Sequence, residues 1–415
     1  NVGDTDGNVY VGYNAGYSNI SGSGLTFLGW KAGQNATGSY NTFLGYQAGQ
    51  GTGGAAATTG GNNTAVGYQA LTAFTTAIHN VAFGNDSMRT NTSGNYNTAY
   101  GSSAMRTNTT GGANVALGYA AARDLDGGNY NVVVGNGAGY NLGGVSNCIL
   151  IGDEAGYAIN NTDANGTVAI GHEAGKAITS GQYNTLIGYR AGENLADNDY
   201  NTAVGYQALE DCTNNYNTAI GTEALHQTAD AGINTAIGFR SGYTNTTGYN
   251  NTFLGVEAYG SANNAINQIV IGKGAVGQGN NYAVIGNADI TRVYAAQDGA
   301  GVLYANGTIQ SSDRRLKENI EDSDLGLEFI NKIRPVSYKY INDKQDGKTK
   351  YGIIAQEVQE VLKESNNEDF AGIKDSDEYL GADYNQFISP LIKAVQELTE
   401  IVKSQQKEIE ELKKK

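Results

Sequence analysis

Proline, histidine and cysteine are close to missing from this chain. Its 415 residues include 2 Pro, 2 Cys and 3 His, against 59 Gly and 28 Tyr. Without Pro, the glycine content fits neither a collagen nor a Pro- and Gly-rich linker. So few His and Cys leave little from which to build a zinc site, and neither a metal nor a cofactor is expected. No run of 18 or more apolar residues occurs, so membrane insertion as a helix is not expected. Positive charge is also short. The formal net charge of -15 argues against nucleic acid as a partner, since that needs cations for the phosphates. The chain starts at Asn1 with no leader, and we expect a processed or truncated product.

These shortages are unevenly spread. Residues 1–311 hold 9 Lys+Arg and 19 Asp+Glu, whereas residues 312–415 hold 17 and 22, and the two nets, -10 and -5, sum to -15. Both prolines, Pro335 and Pro390, fall in the short charged part. A 311-residue stretch without Pro is one in which backbone N–H groups are needed in a ladder.

What fills that stretch is a repeat, Asn-Thr-x-aliphatic-Gly-Tyr-x-Ala, seen at Asn41–Ala48, Asn63–Ala70, Asn184–Ala191, Asn201–Ala208 and Asn251–Ala258. Seventeen copies are anchored on a Gly, from Gly12 to Gly286; eleven of the sixteen intervals are 17 residues, the others 16, 22, 19, 16 and 14. The residue before the anchor is Val, Leu or Ile in fifteen copies, and from its hydrophobicity we expect it in the core. Three residues after the anchor stands Ala in fourteen copies, which suggests close backbone approach. The residues leading to the Gly have the look of a short strand, and the Gly marks a corner. A unit this short cannot bury a core alone, so the expected solution is a solenoid with coils stacked at ~4.7 Å, a rod of roughly 75 Å. Stacking would put Asn over Asn in an amide ladder. A flat Thr and Asn surface that binds ice is the functional alternative to that structural reading.

The anchors place Cys148 and Cys212 three coils apart, about 14 Å at ~4.7 Å per coil, beyond the ~7 Å reach of a disulfide, so free thiols are expected. His79, His172 and His226 are remote from one another and are expected on surface turns. Walker, HExxH, Cys-x-x-Cys and calcium-binding Gly-Gly-x-Gly-x-Asp motifs are absent. The repeat resembles the head repeats of trimeric autotransporter adhesins of the YadA type and, more closely, the Asn-Thr-Ala-x-Gly repeats of bacterial and phage tail-fibre-like proteins. The resemblance implies a left-handed parallel β-roll, three of which associate around an axis.

The charged part opens with Ser311-Ser312-Asp313-Arg314-Arg315-Leu316-Lys317. Further along come Arg334-Pro335-Val336-Ser337-Tyr338-Lys339-Tyr340, Tyr351-Gly352-Ile353-Ile354-Ala355-Gln356-Glu357-Val358 and Asp383-Tyr384. Together these stretches resemble the intramolecular chaperone domain at the end of phage endosialidases and tail fibres, the peptidase S74 family. The resemblance implies single-turnover self-cleavage beside Ser312 as nucleophile, with Lys317 as general base. Ser311 and Asp313 would flank the cut, and Arg314 and Arg315 would help lower the lysine's proton affinity. A hydroxyl needs such a base, and a Lys serves only when desolvated or crowded by cations. A spacing of five does not bring two side chains together on a helix or a strand, so either a turn intervenes or the partners come from different subunits. An acyl shift would open Ser311–Ser312, whereas the family pattern points to Ser312–Asp313. The alternative to a catalytic pair is a solvated basic linker.

Ile388, Leu391, Val395, Leu398, Val402, Gln405, Ile409 and Leu412 keep a heptad spacing and predict a coiled-coil helix starting near Ser389, or docked on its own domain, with Asp383 as another candidate cap. β-branched residues alternating with Leu favour two strands, whereas the resemblance implies three. We further expect a β segment at Val302–Gln310, helices at Leu325–Lys332 and Ala355–Leu362, and strands at Val336–Tyr340 and Tyr351–Ile354.

The expected whole is mostly β: a trimeric solenoid over 1–287, a β neck over 288–311, a small α+β chaperone autoprotease over 312–388 and a coiled coil over 389–415. Its expected role is an extracellular fibre, on a virion tail or a bacterial surface, that meets a cell-surface glycan or receptor. Candidate contacts are the Gly51–Asn62 insertion, the Asn160–Gly166 loop, and Tyr68, Tyr189 and Tyr206. Tyr at such positions also suits packing between subunits, and a structural spacer with its binding tip upstream is the competing reading.

Overall fold

A computed structural model of the chain describes residues 7–53, 58–293, 314–339, 349–375 and 380–414. It divides into two compact units, Asn1–Val293 and Tyr294–Lys415.

In the first unit each repeat contributes one strand of three residues, from β1 (Val9–Val11) to β17 (Ala283–Ile285). All seventeen join in one parallel sheet, each strand bonded to those of the coils before and after it. Register follows the repeat: Thr202 lies beside Thr185 and Val204 beside Ile187. The expected solenoid of 17-residue coils is therefore what the chain forms.

The anchor glycines close each strand, and sixteen of the seventeen have φ between 132° and 147°. A Cβ at Gly101 would overlap the carbonyl oxygen of Gly118 in the next coil. Both the dihedral and the stacking distance demand Gly there. Beyond the corner, the small residue three positions on is buried, as at Ala32, Ala48, Ala104 and Ala191.

The interior differs from the expectation in one respect. The aliphatic residue before each anchor is not core: Leu28 is 48% and Leu117 45% exposed. The strand's middle residue points inward instead, and Phe27, Phe43, Ala65, Val133, Leu150 and Ala203 are fully buried. Strand side chains alternate between faces, so a one-residue error exchanges inside and outside. The middle position is often Ala, which hid it. Its size is matched six residues later within the coil. Phe27, Phe43, Leu150 and Leu186 stand against Gly33, Gly49, Gly156 and Gly192. Where the middle residue is Ala65, Ala82, Ala99 or Ala203, the later position is Leu71, Met88, Met105 or Leu209, also fully buried. In these coils a large residue at one position goes with a small one at the other, as close packing requires. At Ala169 and Ala236 the later position is instead Gly175 or Gly242, and side chains of neighbouring coils, Leu186 or Leu225 and Phe253, fill the space.

The amide ladder is present, and it is internal. Oδ1 of Asn97 accepts from the backbone N–H of Asn114 at 3.0 Å, and its Nδ2 donates to the Gly111 carbonyl at 2.8 Å. The same arrangement runs from Asn63 to Asn80 and from Asn234 to Asn251, satisfying turn groups that no strand reaches. Since these Asn side chains are buried, they contribute nothing to a surface that could meet ice. Cys148 takes the ladder position after Asn131. Both Cys148 and Cys212 are buried and unpaired, and burial pushes each thiol up to about 11.

The second unit is small. Helix α1 (Leu327–Lys332) precedes the antiparallel pair β18 (Val336–Tyr338) and β19 (Lys350–Gly352). Helix α2 (Ala355–Glu364) is followed by the antiparallel pair β20 (Ile373–Asp375) and β21 (Leu380–Ala382), and a 26-residue helix α3 (Ile388–Lys413) ends the chain. Leu325, expected in α1, instead joins Phe329, Val358, Leu362 and Phe387 in the core. Asp383 caps a short 3-10 turn, its Oδ1 accepting from Asn385 N at 3.1 Å, and α3 begins one residue before Ser389. The expected segment Val302–Gln310 lies outside the described residues.

Candidate functional site

Ser311, Ser312 and Asp313 lie outside the described residues. The next three residues, Arg314–Leu316, form a 3-10 turn, with Lys317 N donating to the Arg314 carbonyl at 3.2 Å. A turn does therefore stand between the two members of the expected pair. Arg314, Arg315 and Lys317 are all exposed.

The other stretches meet in the second unit. Arg334, just before β18, grips Glu357 in the first turn of α2: Nε donates to Oε2 at 3.0 Å and Nη2 to Oε1. The Arg334 hydrogen bonds hold the Glu357 carboxyl below the usual carboxylate range. The Tyr384 hydroxyl accepts from Ile353 N at 3.2 Å. Three of the four motif stretches are thus clamped together by Arg334, Glu357 and Tyr384. None of the three was a candidate site residue. Their signal was membership in the quoted motifs, since 23 residues separate Arg334 from Glu357.

Helix α3 shows what those contacts support. It lies along α1 and buries Pro390 and Ala394, and its Glu397 Oε2 accepts from Leu327 N at 2.7 Å, capping α1. Its heptad side is turned away: Ile388, Leu391, Val395, Leu398 and Val402 stay exposed, and the first three line an open apolar groove with Ile392 and Gln396. Docking on the domain and the heptad seam use different faces of one helix.

In the solenoid, aromatic residues after the anchors stack coil on coil. Trp30 and Tyr46 lie 4.6 Å apart with planes 9° off parallel, and Tyr46 and Tyr68 lie 5.1 Å apart. Tyr189 sits between His172 and Tyr206, at 5.1 and 5.2 Å. A sugar stacks on an open ring face, and Tyr189 has none. Tyr68 and Tyr206 each end a run with one face covered. The Asn160–Gly166 loop is an exposed 3-10 turn capped by Asn161, and residues 54–57 of the other insertion lie outside the described residues.

Charge collects at one corner of the coils. Lys176 bridges Glu154 and Glu173, both at 2.6 Å, and Arg190 holds Glu173 at 2.8 Å. Lys176, then Arg190, holds the Glu173 carboxyl below its usual range. His172 joins Asp153 and Glu173 here, and His226 Nε2 reaches Glu210 at 2.7 Å. Among the described residues no three His, Cys, Asp or Glu side chains cluster as metal ligands would, and no helix is long and apolar enough to cross a membrane.

Residues 312–366 match the peptidase S74 family, described as chaperone of endosialidase. The match begins at Ser312 and takes in the Arg334–Glu357 clamp. No curated protein matches the chain. A chaperone-of-endosialidase segment following a β-solenoid fits a trimeric tail-fibre-like protein.

Proposed function

We propose that this chain is a subunit of a homotrimeric extracellular fibre, of a phage-like tail or a bacterial surface, whose segment from Ser312 onward drives assembly and then cuts itself away. The carrying observation is the family match that opens at Ser312, where the charge-poor repeat gives way to the charged unit. The exposed α3 seam supports it, because an apolar heptad face open to water is complete only against other copies.

In this reading Lys317 takes the proton of the Ser312 hydroxyl, whose oxygen attacks the carbonyl of the scissile peptide. The C–N bond breaks, its nitrogen leaves as an amine with a proton, and water hydrolyses the ester. A base role requires removal of water from Lys317, which is exposed in the single chain. Assembly supplies that cover, so cleavage reports a correctly formed trimer. Stacked coils of one period can slip past each other at little cost, and a C-terminal trimeriser fixes their register. Its removal afterwards makes unfolding effectively irreversible.

The test sets the full chain beside Ser312→Ala on denaturing gels, with light scattering in parallel. Wild type should release the C-terminal fragment of 104 residues, or 103 if the cut follows Ser312, and scatter as a trimer; the variant should stay whole. The mass of the fragment tells which bond adjoining Ser312 is cut. An uncut wild type removes the protease claim, and cleavage in a dilute monomer removes the coupling to assembly.

For the fibre body, the covered faces of Tyr189 favour a spacer over a stacking platform for glycans. Binding to any glycan of an array by the isolated fibre would overturn the spacer reading.

A further inference from the structure

Two residues of every solenoid strand point outward, 34 positions in seventeen strands, and none carries a charge, an amide or a glycine. Nine are Thr, and all the rest are aliphatic except Phe83 and Tyr100. From β7 (Val115–Leu117) through β8 and β9 to β10 (Val168–Ile170) every outward residue is Val, Leu or Ile. Yet these side chains are not covered: Leu254 at the far end is 43% exposed. The ion pairs of the same unit lie at the corner after the anchors. One whole face has been kept free of charges and amides, with hydroxyls as its only polar groups.

Exposed apolar surface of this continuity marks an interface. Sixteen steps of ~4.8 Å make the face roughly 75 Å long, and two outward columns make it about 10 Å wide. The product, on the order of 800 Å², is what each partner gives to a stable standard-size interface. An occupant must present apolar groups at the same spacing over the same length, and with no charge on the face it is not selected by electrostatics. This chain meets both conditions itself.

We propose that the charge-free outward face of the strands is the surface by which copies of this chain pack together, with the aliphatic block of β7–β10 as its most strongly apolar part. The proposal rests on the trimeric reading and adds where the subunits meet. The interruption of the Thr column by Val and Ile at β7–β10 is what dry packing asks for and breaks the regular hydroxyl row that an ordered water lattice would need.

The native thiols are both buried, so an introduced cysteine labels selectively. Leu117→Cys on the face and Asp197→Cys on an exposed turn are made in the full chain and reacted with a maleimide, with scattering in parallel. In the assembled protein the Leu117 position should react at least about ten-fold more slowly, and denaturation should equalise the two. Equal rates on a chain that scatters as a trimer overturn the inference alone. A monomer overturns it together with the trimeric reading. A freely labelled face combined with thermal hysteresis of ice growth would assign it to water. As a second arm, Leu117→Glu should keep the strand circular dichroism but fall to monomers once the segment from Ser312 onward is released, whereas Asp197→Lys should stay a trimer. A released Leu117→Glu fibre that remains a trimer also overturns the proposal.

Discussion

The two units hold their chains by different means. In the solenoid, order comes from the backbone and from neutral polar groups: seventeen parallel rungs, positive-φ glycines at the corners and a buried line of Asn amides. Removing any one member disturbs a coil and its two neighbours, and nothing further away. Among the described residues the second unit has only short two-stranded pairs, and relies on an aromatic core in which Phe370 and Phe387 lie 5.3 Å apart, on a charge-assisted clamp and on one long helix. The first kind of structure is cumulative, as in other repeat proteins, with its ion pairs confined to corners after the anchors. The second is cooperative and is clamped by the Arg334–Glu357 ion pair. The assembly and later release proposed for the second unit suit the second kind.

The largest effect that can break this contrast is at a corner glycine. Gly101→Ala forces a Cβ into the Gly118 carbonyl at φ 147°, and the coil must open to admit it. We expect a loss of about 3–5 kcal/mol, combining backbone strain with a lost rung. Denaturant unfolding of the repeat region measures it, and hydrogen exchange should rise only in the coils next to Tyr100. Exposure spreading to distant coils would deny that the solenoid is cumulative.

Of comparable size is the volume exchange inside a coil. Phe43→Ala should cost about 3–5 kcal/mol through the cavity it leaves. Adding Gly49→Leu converts this coil to the Ala and Leu pairing of Ala65 with Leu71, and should restore at least half. The backbone permits it, since Leu71 and Leu209 already sit at φ 53° and 54°, the dihedral of Gly49. Additive losses in the double variant would remove the compensation argument.

The same pairing shows what could be read from residues alone. Period, strand, parallel stacking and the amide line follow from spacing, because only Gly satisfies the corner and a short amide recurs in the ladder, with Cys148 and Gln268 among the exceptions. Which strand residue is buried did not follow. Hydrophobicity picked the Leu or Val before each anchor, whereas the inward position is frequently Ala and shows itself only against the residue six places on. In the second unit, Ser312 and Lys317 came from a motif, and the turn over Arg314–Leu316 is compatible with that pairing. The Arg334–Glu357 clamp was out of reach because nothing local links a residue before a strand to one in a later helix. The heptad was legible as a pattern, and the structure adds that Pro390, Ala394 and Glu397 occupy the docked side.

The smallest expected effect separates the two units by acid. Glu357 has its carboxyl held low by the Arg334 hydrogen bonds, so its folded value lies below the unfolded one of about 4.3. A depressed carboxylate contributes stability that is fully present above the unfolded value and is lost as pH falls through the folded one. Lowering the pH from 6 to below 4 should therefore weaken the second unit, and Glu357→Gln should remove that part of the response while leaving its stability at low pH nearly unchanged. Both partners face solvent, so the change is small and shrinks further in high salt. Glu173 is held low in the same way, by Lys176 and then Arg190. Acid should accordingly loosen the solenoid only near the coils of Glu154, Lys176 and Arg190, and residue-level exchange would show protection elsewhere unchanged, since the Asn line carries no titrating group. Uniform loosening of every coil between pH 6 and 4 would mean that charge, and not the neutral ladder, holds the rungs together.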